Sequence, residues 1–498
     1  MSFASTLEGV SPTDDADLLA DIASRALDEG EEDQALPLLE RSVEIRRVGR
    51  LWQWKALLER AIDHHEQALE SFQEAERLDP DDASIAHGYA RTALEAGIDA
   101  RQLYDRALEL APNDGSLLIG RAAAYAAAGE GNRAVNELAQ VLARAPAWID
   151  GHEQLAQFLA TEGRGDEATA SLERALMLFP QEAALWEALL RIEVRRKQYE
   201  SILPIIERGK AAGAQSLQFA LYEGIAAAEL SDDAEPAALF SPAAEATPEL
   251  TIWRIRHLLR TGDIDRLMPI LDDELARNPA GDAWAYASTA WRIAEDPRSD
   301  WLERQGELVR VIDLLDSLPP LDQLTETLKN LHVTKAEYLD QAVRGGTQTD
   351  GPLFSRIDPT IQAVRHAVVG AIQDYVTQLP AEDAGHPLLH HRRDRRIRFA
   401  GSWSVLLKSS GHLANHTHPQ GWISSALYIS LPAQSEGDAG WFRLGEPDER
   451  LGISLPPQRK IEPKPGRLVL FPSWMWHGTV PFSSGERLSL AFDVAQPR

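Results

Sequence analysis

Three of the 14 histidines have a spacing that suits metal binding. His416 and His418 stand one residue apart in the segment NHTHP, and His477 follows in the segment WMWHG. Side chains at positions i and i+2 of an extended segment point to the same side, so they can bind one ion from one direction. A third histidine from a distant strand would complete one face of the coordination sphere and leave the opposite face open. The pattern therefore predicts a metal site with open positions for reactants.

The identity of His418 leaves the ligand set open. Iron(II) sites with an open face commonly pair two histidines with one carboxylate, in the order His-x-Asp or His-x-Glu followed much later by His. His418 stands where that carboxylate is expected. Either three histidines bind the metal, or His418 lies outside the ligand set and water takes its place. His412, Asp438 and Asp493 are the other candidate ligands in this part of the chain.

An arginine and a serine stand close behind the third histidine, in the segment ERLSLAFDV. Arg487 and Ser489 share one face of a predicted strand whose other face is apolar throughout. An arginine held inside a β-barrel requires an anionic partner, because an unpaired buried charge is costly. A guanidinium group can bind a carboxylate through two parallel hydrogen bonds, and a serine hydroxyl can add another. The segment therefore predicts a binding site for a carboxylate beside the metal.

These motifs lie in two longer segments, NHTHPQGWISSALYISLP and PGRLVLFPSWMWHGTVPFSSGERLSLAFDV. Through both segments, residues 400–494 resemble the 2-oxoglutarate/iron(II)-dependent oxygenase superfamily. The resemblance is strongest to its bacterial branch, which combines a His-x-His motif with appended tetratricopeptide repeats. It implies that the three histidines bind iron(II), and that Arg487 and Ser489 bind the carboxylate of 2-oxoglutarate. It also implies that Tyr428 donates a hydrogen bond to the same carboxylate.

Three further residues are candidates for a supporting role. Asn415 can orient a ligand histidine from behind, or it is an ordinary turn residue. Trp422 and Trp476 can form the wall of a substrate pocket, although tryptophans near a barrel opening also serve as core packing. No catalytic side chain is expected beyond the metal centre.

The same resemblance implies the reaction of a dioxygenase. Dioxygen would oxidise 2-oxoglutarate to succinate and carbon dioxide, and the usual outcome for the prime substrate is hydroxylation. Three interpretations remain open at this point. The repeats deliver a protein or peptide substrate to the oxygenase, or they serve docking in an oxygenase of small-molecule or natural-product metabolism. In the third, the chain is a non-catalytic interaction protein, which the histidine in the carboxylate position would explain.

The elements that must position these residues follow from a change of hydrophobic period. An amphipathic helix is predicted at about residues 359–379, and alternating strands follow it. We therefore expect a jelly-roll (double-stranded β-helix) domain at residues 359–498 and a linker at residues 346–358. The basic run at residues 390–398 is expected to be a solvent-exposed strand edge. The strand candidates are residues 397–408, 422–431, 441–444, 467–471 and 487–494.

The N-terminal part of the chain has an internal repeat. Four prolines follow similar apolar segments and are spaced by 32, 34 and 34 residues. They are Pro80, Pro112, Pro146 and Pro180. Such a period is typical of tetratricopeptide repeats, which stack as helical hairpins around a groove suited to a protein or peptide partner. We expect an α-helical solenoid over residues 16–345, clearest at residues 50–215, and a disordered segment at residues 1–15.

The composition excludes several classes of function. A net charge of −27 disfavours binding to nucleic acid and to anionic lipid surfaces. No apolar run reaches the length of about 18 residues that a membrane span needs. The absence of cysteine excludes disulfide bonds and thiolate metal ligands. The first residues lack the features of a secretion signal, so a cytoplasmic location is the expectation.

Overall fold

The computed structural model describes residues 3–432 and 437–497. Helices occupy the chain from its first described residue to Glu303, and two more follow among the strands. Among the described residues no helix combines the length and the apolar character that a membrane span requires. The helices are Phe3–Leu7 (α1), Ala16–Glu29 (α2), Glu32–Ile45 (α3), Gly49–Ala61 (α4), His65–Leu78 (α5), Ala83–Glu95 (α6), Arg101–Leu110 (α7), Gly115–Ala127 (α8), Gly131–Arg144 (α9), Ile149–Thr161 (α10), Ala170–Leu178 (α11), Ala183–Arg195 (α12), Ile202–Ala211 (α13), Gln218–Leu230 (α14), Ala237–Phe240 (α15), Pro242–Glu245 (α16), Thr251–Thr261 (α17), Ile264–Arg277 (α18), Ala283–Ile293 (α19), Arg298–Glu303 (α20), Leu321–Asn330 (α21) and Pro359–Thr377 (α22).

Consecutive helices from α2 to α14 pack as hairpins, in the manner that the repeat predicts. The spaced prolines lie in the turns that precede α6, α8, α10 and α12. In the first two of these turns an aspartate begins the next helix: Asp82 accepts from the backbone of Ser84, and Asp114 accepts from that of Ser116. The alanines that recur at fixed distances from the prolines are at most 1 % exposed, which permits close helix packing: Ala90, Ala122, Ala134, Ala156 and Ala168. The predicted repeat architecture is confirmed.

The start of the chain differs from the expected disorder of residues 1–15. Helix α1 forms there, and the side chain of Phe3 is buried in the core of the first hairpin. Arg25 of α2 donates a hydrogen bond to Thr6 and lies 5.9 Å from the centre of the Phe3 ring. A helix of five residues is too short to show a recognisable hydrophobic period in the sequence.

The C-terminal part consists of two antiparallel sheets that pack against each other. In the described residues the larger sheet has the order β1-β7-β4-β9-β3-β2, and the smaller sheet has the order β6-β5-β8. Phe442 of the smaller sheet and Phe471 of the larger one meet in a shared core, 5.3 Å apart between ring centres. This arrangement agrees with the predicted jelly-roll. The strands are Arg310–Asp313 (β1), Val343–Gln348 (β2), Phe399–Leu413 (β3), Gly421–Ser430 (β4), Phe442–Leu444 (β5), Arg459–Ile461 (β6), Arg467–Pro472 (β7), His477–Thr479 (β8) and Arg487–Ala495 (β9).

The boundary between the two parts lies earlier than the sequence indicates. Strand β1 pairs with β7 and strand β2 pairs with β3, so both belong to the larger sheet. The predictions of a solenoid up to residue 345 and of a linker at residues 346–358 are therefore wrong. Strand β1 has four residues, and strand β2 contains two adjacent glycines. Neither has the alternating apolar pattern by which the other strands are recognised.

The earlier hairpins contact the C-terminal β-sheet part, called the barrel domain below, through one edge. This edge is formed by the turns between the two helices of each hairpin. After α4, Asp63 forms an ion pair with Arg365 of α22. After α6, the carbonyl of Ala96 accepts a hydrogen bond from the backbone of Ile357. At the end of α10, the carbonyl of Thr161 accepts from the backbone of residues 335 and 336. We call this row of turns the docking edge.

The basic run at residues 390–398 packs against this edge and is not a solvent-exposed strand edge. Arg395 forms an ion pair with Glu31, 2.6 Å apart. Arg398 forms two hydrogen bonds with Glu32, whose side chain is only 3 % exposed. These pairs join residues more than 360 positions apart, so the sequence pattern alone gives no indication of them.

We predict that Arg398→Ala loosens the first repeat, because the buried carboxylate of Glu32 loses its partner. Breaking a buried ion pair costs about 3–5 kcal/mol, and we expect about 2 kcal/mol here because the Arg398 side chain is 26 % exposed. Hydrogen–deuterium exchange should accelerate in α2 and α3. The control is Arg392→Ala, since the pair of Arg392 with Asp394 is exposed on both sides. Equal exchange in both variants would contradict the role of the docking edge.

Candidate metal centre and adjoining cavity

The three histidines of the sequence motif meet in the structure. One nitrogen from each of His416, His418 and His477 lies within 4.8 Å of the others. Backbone pairing places them: His416 and His477 exchange two N–H···O=C hydrogen bonds of 3.0 Å each, and the backbone N–H of His418 donates to Ser473. Since β8 and the segment before β4 are held by these bonds, the cluster forms from the fold of the chain itself.

Hydrogen bonds at Nδ1 orient two of the three rings. Nδ1 of His416 lies 2.8 Å from the carbonyl oxygen of Ala414, and Nδ1 of His477 lies 3.0 Å from that of Met475. A carbonyl oxygen only accepts, so each ring must carry its proton on Nδ1. The lone pair is then on Nε2, which is free to bind a metal ion.

The ring of His418 is oriented by a carboxylate instead. Its Nδ1 lies 2.5 Å from Oδ2 of Asp493, on strand β9. Asp493 thus contacts a histidine of the cluster and is not itself one of the converging groups. The other candidate ligands lie outside the cluster. His412 stands opposite Arg344 in the β2–β3 pair, and Asp438 forms an ion pair with Lys460.

The surroundings keep two of the imidazoles neutral. Burial, together with the neighbouring His418, lowers the pKa of His416 to about 3. Burial also lowers the pKa of His477 well below its ordinary value. Neutral imidazoles offer the lone pair that a metal ion needs, so both groups are ready to act as ligands at neutral pH.

A cavity of about 550 Å³, measured with its open mouth, adjoins the histidines. Arg487, Ser489 and Tyr428 line it, as the sequence-based interpretation requires of co-substrate ligands. Arg487 and Ser489 project from the same face of β9, and Tyr428 lies opposite Ser489 on the adjacent strand β4. The residues assigned to the metal and those assigned to a carboxylate ligand therefore share one cavity.

Arg487 is buried without an anionic partner. It is 1 % exposed and forms no ion pair with any residue in the described parts of the chain. Its guanidinium group donates to the carbonyl of Gly440 at 3.0 Å and to Thr479 at 3.4 Å, whereas Nε has no partner. Burial lowers the pKa of Arg487. A buried guanidinium that lacks a counter-ion fits a site whose anion comes with a ligand.

Tyr428 adds a second unpaired donor to this end of the cavity. Its hydroxyl group is buried and has no hydrogen-bond partner within residues 3–432 and 437–497, and its ring lies 5.8 Å from the guanidinium carbon of Arg487. Burial raises the pKa of Tyr428 to about 12, so the hydroxyl keeps its proton at neutral pH. The donor set of Tyr428, Arg487 and Ser489 fits the distal carboxylate of a small dicarboxylate such as 2-oxoglutarate.

For Asn415, Trp422 and Trp476 the contacts favour the alternatives to a supporting role that the sequence left open. The Asn415 amide donates to the carbonyl of Pro447 at 3.2 Å and not to a histidine of the cluster. Trp422 donates to the carbonyl of Leu388, and Trp476 donates to that of Ala285. Both tryptophans belong to the core between the sheet and the helices and lie outside the cavity. Periodicity does not reveal which of two packed layers a buried tryptophan joins.

The sequence-based interpretation gives Trp403 no role and Asp493 only a minor one. Trp403 of β3 lines the cavity, and its ring centre lies 5.4 Å from that of His418. Asp493 was a candidate ligand, and its contact with His418 was not expected. Strand alternation could have indicated both residues. Ser489, Ala491 and Asp493 share the cavity face of β9, and Trp403 pairs with Ala491 on the neighbouring strand.

Comparisons with known proteins bear on both parts of the chain. Residues 401–493 match the family described as "Putative 2OG-Fe(II) oxygenase". Residues 49–82 match the tetratricopeptide repeat. The chain is thus a repeat protein that carries a β-sheet domain with a histidine cluster. Residues 401–493 of that C-terminal domain are similar to the 2OG-Fe(II) oxygenase family.

Solved structures resemble parts of the chain. YrrB, described as a tetratricopeptide-repeat protein with an unusual peptide-binding site, is 17% identical, with 38% of this chain and 97% of YrrB covered and a TM-score of 0.28. TTC0263, a repeat protein of Thermus thermophilus, is 22% identical, with coverages of 35% and 97% and a TM-score of 0.27. A Pseudomonas putida prolyl-4-hydroxylase is 17% identical, with coverages of 39% and 96% and a TM-score of 0.27. The curated proteins include no significant match.

We predict that His477→Ala lowers the affinity for Co²⁺ by more than about a hundredfold, above the range found for groups that only support a ligand. The d–d absorbance of bound Co²⁺ measures the affinity in the full-length protein. His412→Ala is the matched control, because His412 lies on β3 outside the cluster. The assignment fails if the two variants bind Co²⁺ equally well.

Proposed function

We propose that this protein is an iron(II)- and 2-oxoglutarate-dependent dioxygenase. The observation that carries the proposal is the buried guanidinium of Arg487, which lacks a counter-ion among the described residues and lines the same cavity as three converging histidines. A metal site alone would not require this arginine, and an anion site alone would not require the histidines. The match of residues 401–493 to the oxygenase family supports the same combination.

The side chains divide the work between two ends of the cavity. His416, His418 and His477 would hold iron(II) through Nε2, on one side of the ion. Arg487 would form paired hydrogen bonds with the distal carboxylate of 2-oxoglutarate, and Ser489 and Tyr428 would add neutral ones. Iron(II), 2-oxoglutarate and dioxygen, when bound, supply the oxidation of a C–H bond in the prime substrate.

Trp403 and the connecting segment at residues 341–343 form another part of the cavity wall. This segment also reaches the repeats, because its neighbour Asp340 forms an ion pair with Arg195 at the end of α12. This part of the cavity wall is therefore held next to the docking edge.

We propose further that the prime substrate is a protein or peptide recruited by the repeats, which commonly bind proteins. An exposed apolar cluster on the repeats supports this proposal. Met177 and Leu217 are 75% and 96% exposed, and Phe179 is 45% exposed. Gln181 packs beside Gly213, so the turns that carry these residues are neighbours. Exposed apolar clusters of this kind commonly mark protein-binding surfaces.

We predict that Arg487→Ala raises the dissociation constant of 2-oxoglutarate by about a hundredfold or more. Two charge-assisted hydrogen bonds are lost, each worth about 1.5–3 kcal/mol. Anaerobic titration of the Fe²⁺-loaded protein measures this constant, and Fe²⁺ affinity should stay unchanged. Arg459→Ala is the control, since Arg459 is exposed on β6. If Arg487→Ala binds and decarboxylates 2-oxoglutarate like the parent, the carboxylate site is misassigned.

We predict that Phe179→Glu combined with Leu217→Glu abolishes hydroxylation of protein substrates but preserves the slow, substrate-independent formation of succinate. The full-length enzyme is incubated with extract proteins, which are then analysed by mass spectrometry for added oxygen. His477→Ala is the inactive control, and Leu315→Glu changes an exposed leucine outside the repeats. Unaltered hydroxylation in the double variant contradicts recruitment by this cluster.

The same assay separates the alternative functions. Succinate formation without any protein hydroxylation favours an oxygenase of small-molecule metabolism that uses its repeats for docking. Absence of succinate formation in the Fe²⁺-loaded parent favours a non-catalytic interaction protein.

A further inference from the structure

Asp493 and Arg487 lie near the two ends of the cavity face of β9. Asp493 is only 8% exposed. Each of its carboxylate oxygens has a separate partner. Oδ2 lies 2.5 Å from Nδ1 of His418, and Oδ1 accepts a hydrogen bond of 2.5 Å from the hydroxyl of Ser424. Both oxygens are therefore occupied, and the orientation of the carboxylate is determined by the strands around it.

The neighbouring strands are shaped to hold this carboxylate. Ser424 of β4 stands directly opposite Asp493, and its hydroxyl also lies 2.9 Å from that of Ser473. Ser473 in turn accepts the backbone N–H of His418 through its carbonyl. Gly421 leaves the space for this arrangement, since a Cβ atom there would lie 2.5 Å from the Ser473 hydroxyl and 3.3 Å from Cβ of Asp493.

The partner of His418 differs in kind from those of the other two histidines. His416 and His477 donate from Nδ1 to neutral backbone carbonyls, whereas His418 faces a carboxylate. A carboxylate behind a ligand histidine holds the proton on Nδ1 and makes Nε2 a stronger donor to the metal. His418 also stands at the motif position where a carboxylate ligand is expected.

We propose that Asp493 is a positioning residue that lets His418 replace the carboxylate ligand: it fixes Nε2 of His418 toward the metal and supplies negative charge from behind the ring. This inference rests on the proposed metal site. The proposal explains how three histidines can replace two histidines and a carboxylate. In the usual set the negative charge is on a ligand, whereas here it is on Asp493, which contacts a ligand through a hydrogen bond.

Asp493→Asn tests the proposal with almost no change of shape. An amide offers one acceptor and one donor, so the negative charge is lost in either orientation. If the amide nitrogen faces His418, Nδ1 must accept and the proton moves to Nε2, which then cannot bind a metal ion. Loss of a supporting group behind a ligand lowers metal affinity by about 10–100-fold, and we expect an effect of this size.

The measurement is the Zn²⁺ affinity of the full-length protein, by competition with a chromogenic chelator. Zn²⁺ binds such ligands more tightly than iron(II) does, so weakened sites remain measurable. Ser424→Ala is the matched control, because it removes one hydrogen bond of Asp493 and leaves the carboxylate on His418. Its effect should stay below about tenfold, the lower limit for loss of a supporting group.

A double-mutant cycle with His418→Ala distinguishes positioning from a general effect on the fold. If Asp493 acts through His418, Asp493→Asn has no further effect on Zn²⁺ affinity once His418 is absent. An equal loss in both backgrounds overturns the proposal, and so does parental affinity in Asp493→Asn alone. If His418→Ala binds no Zn²⁺, the comparison of Asp493→Asn with Ser424→Ala decides, and equal affinities overturn the proposal. A parent that binds no metal refutes the proposed function, whereas a metal-binding parent matched by Asp493→Asn refutes only this inference.

Discussion

The side chains of strand β9 alternate between two environments. Those on one face contribute to the candidate site, and those on the other face pack in the hydrophobic core. Arg487, Ser489 and Asp493 point to the cavity side. The intervening apolar residues belong to one continuous core with helix α22 and with repeat helices α17 to α19. Because the period of a strand is two residues, a shift in register by one residue would move the arginine and the aspartate into that core. Pairing with β3 on one side and β4 on the other excludes such a shift.

The repeats are attached to the barrel domain in two different ways. Their last helices share its hydrophobic core, and their earlier turns meet it along the docking edge through ion pairs and backbone hydrogen bonds. The apolar contribution is insensitive to salt, whereas the exposed part of the ion pairs is screened by it.

The sequence predicts the elements whose patterns are long and regular. The helix at Pro359–Thr377 and the strands β3, β4, β5, β7 and β9 agree with the predicted ranges to within a few residues, because their apolar residues repeat with a clear period. Strands β1 and β2 are too short and polar to be recognised. For the candidate site, spacing alone points to the three histidines and to Arg487, which the structure brings to one cavity. The partners of Asp493 and of Arg398 depend on contacts between distant segments, and no local pattern contains them.

The positions of β1 and β2 show that the segment matched by the family and the segment that forms the larger sheet have different bounds. The match to the oxygenase family begins at residue 401, yet both outer strands of the larger sheet come from residues before it. The unit of sequence similarity is therefore smaller than the unit that closes the sheet. A chimaera that exchanged only residues 401–493 would inherit its outer strands from the host chain. Compatibility of those two short strands, and not of the metal site, would then limit which oxygenase domains this repeat array can accept.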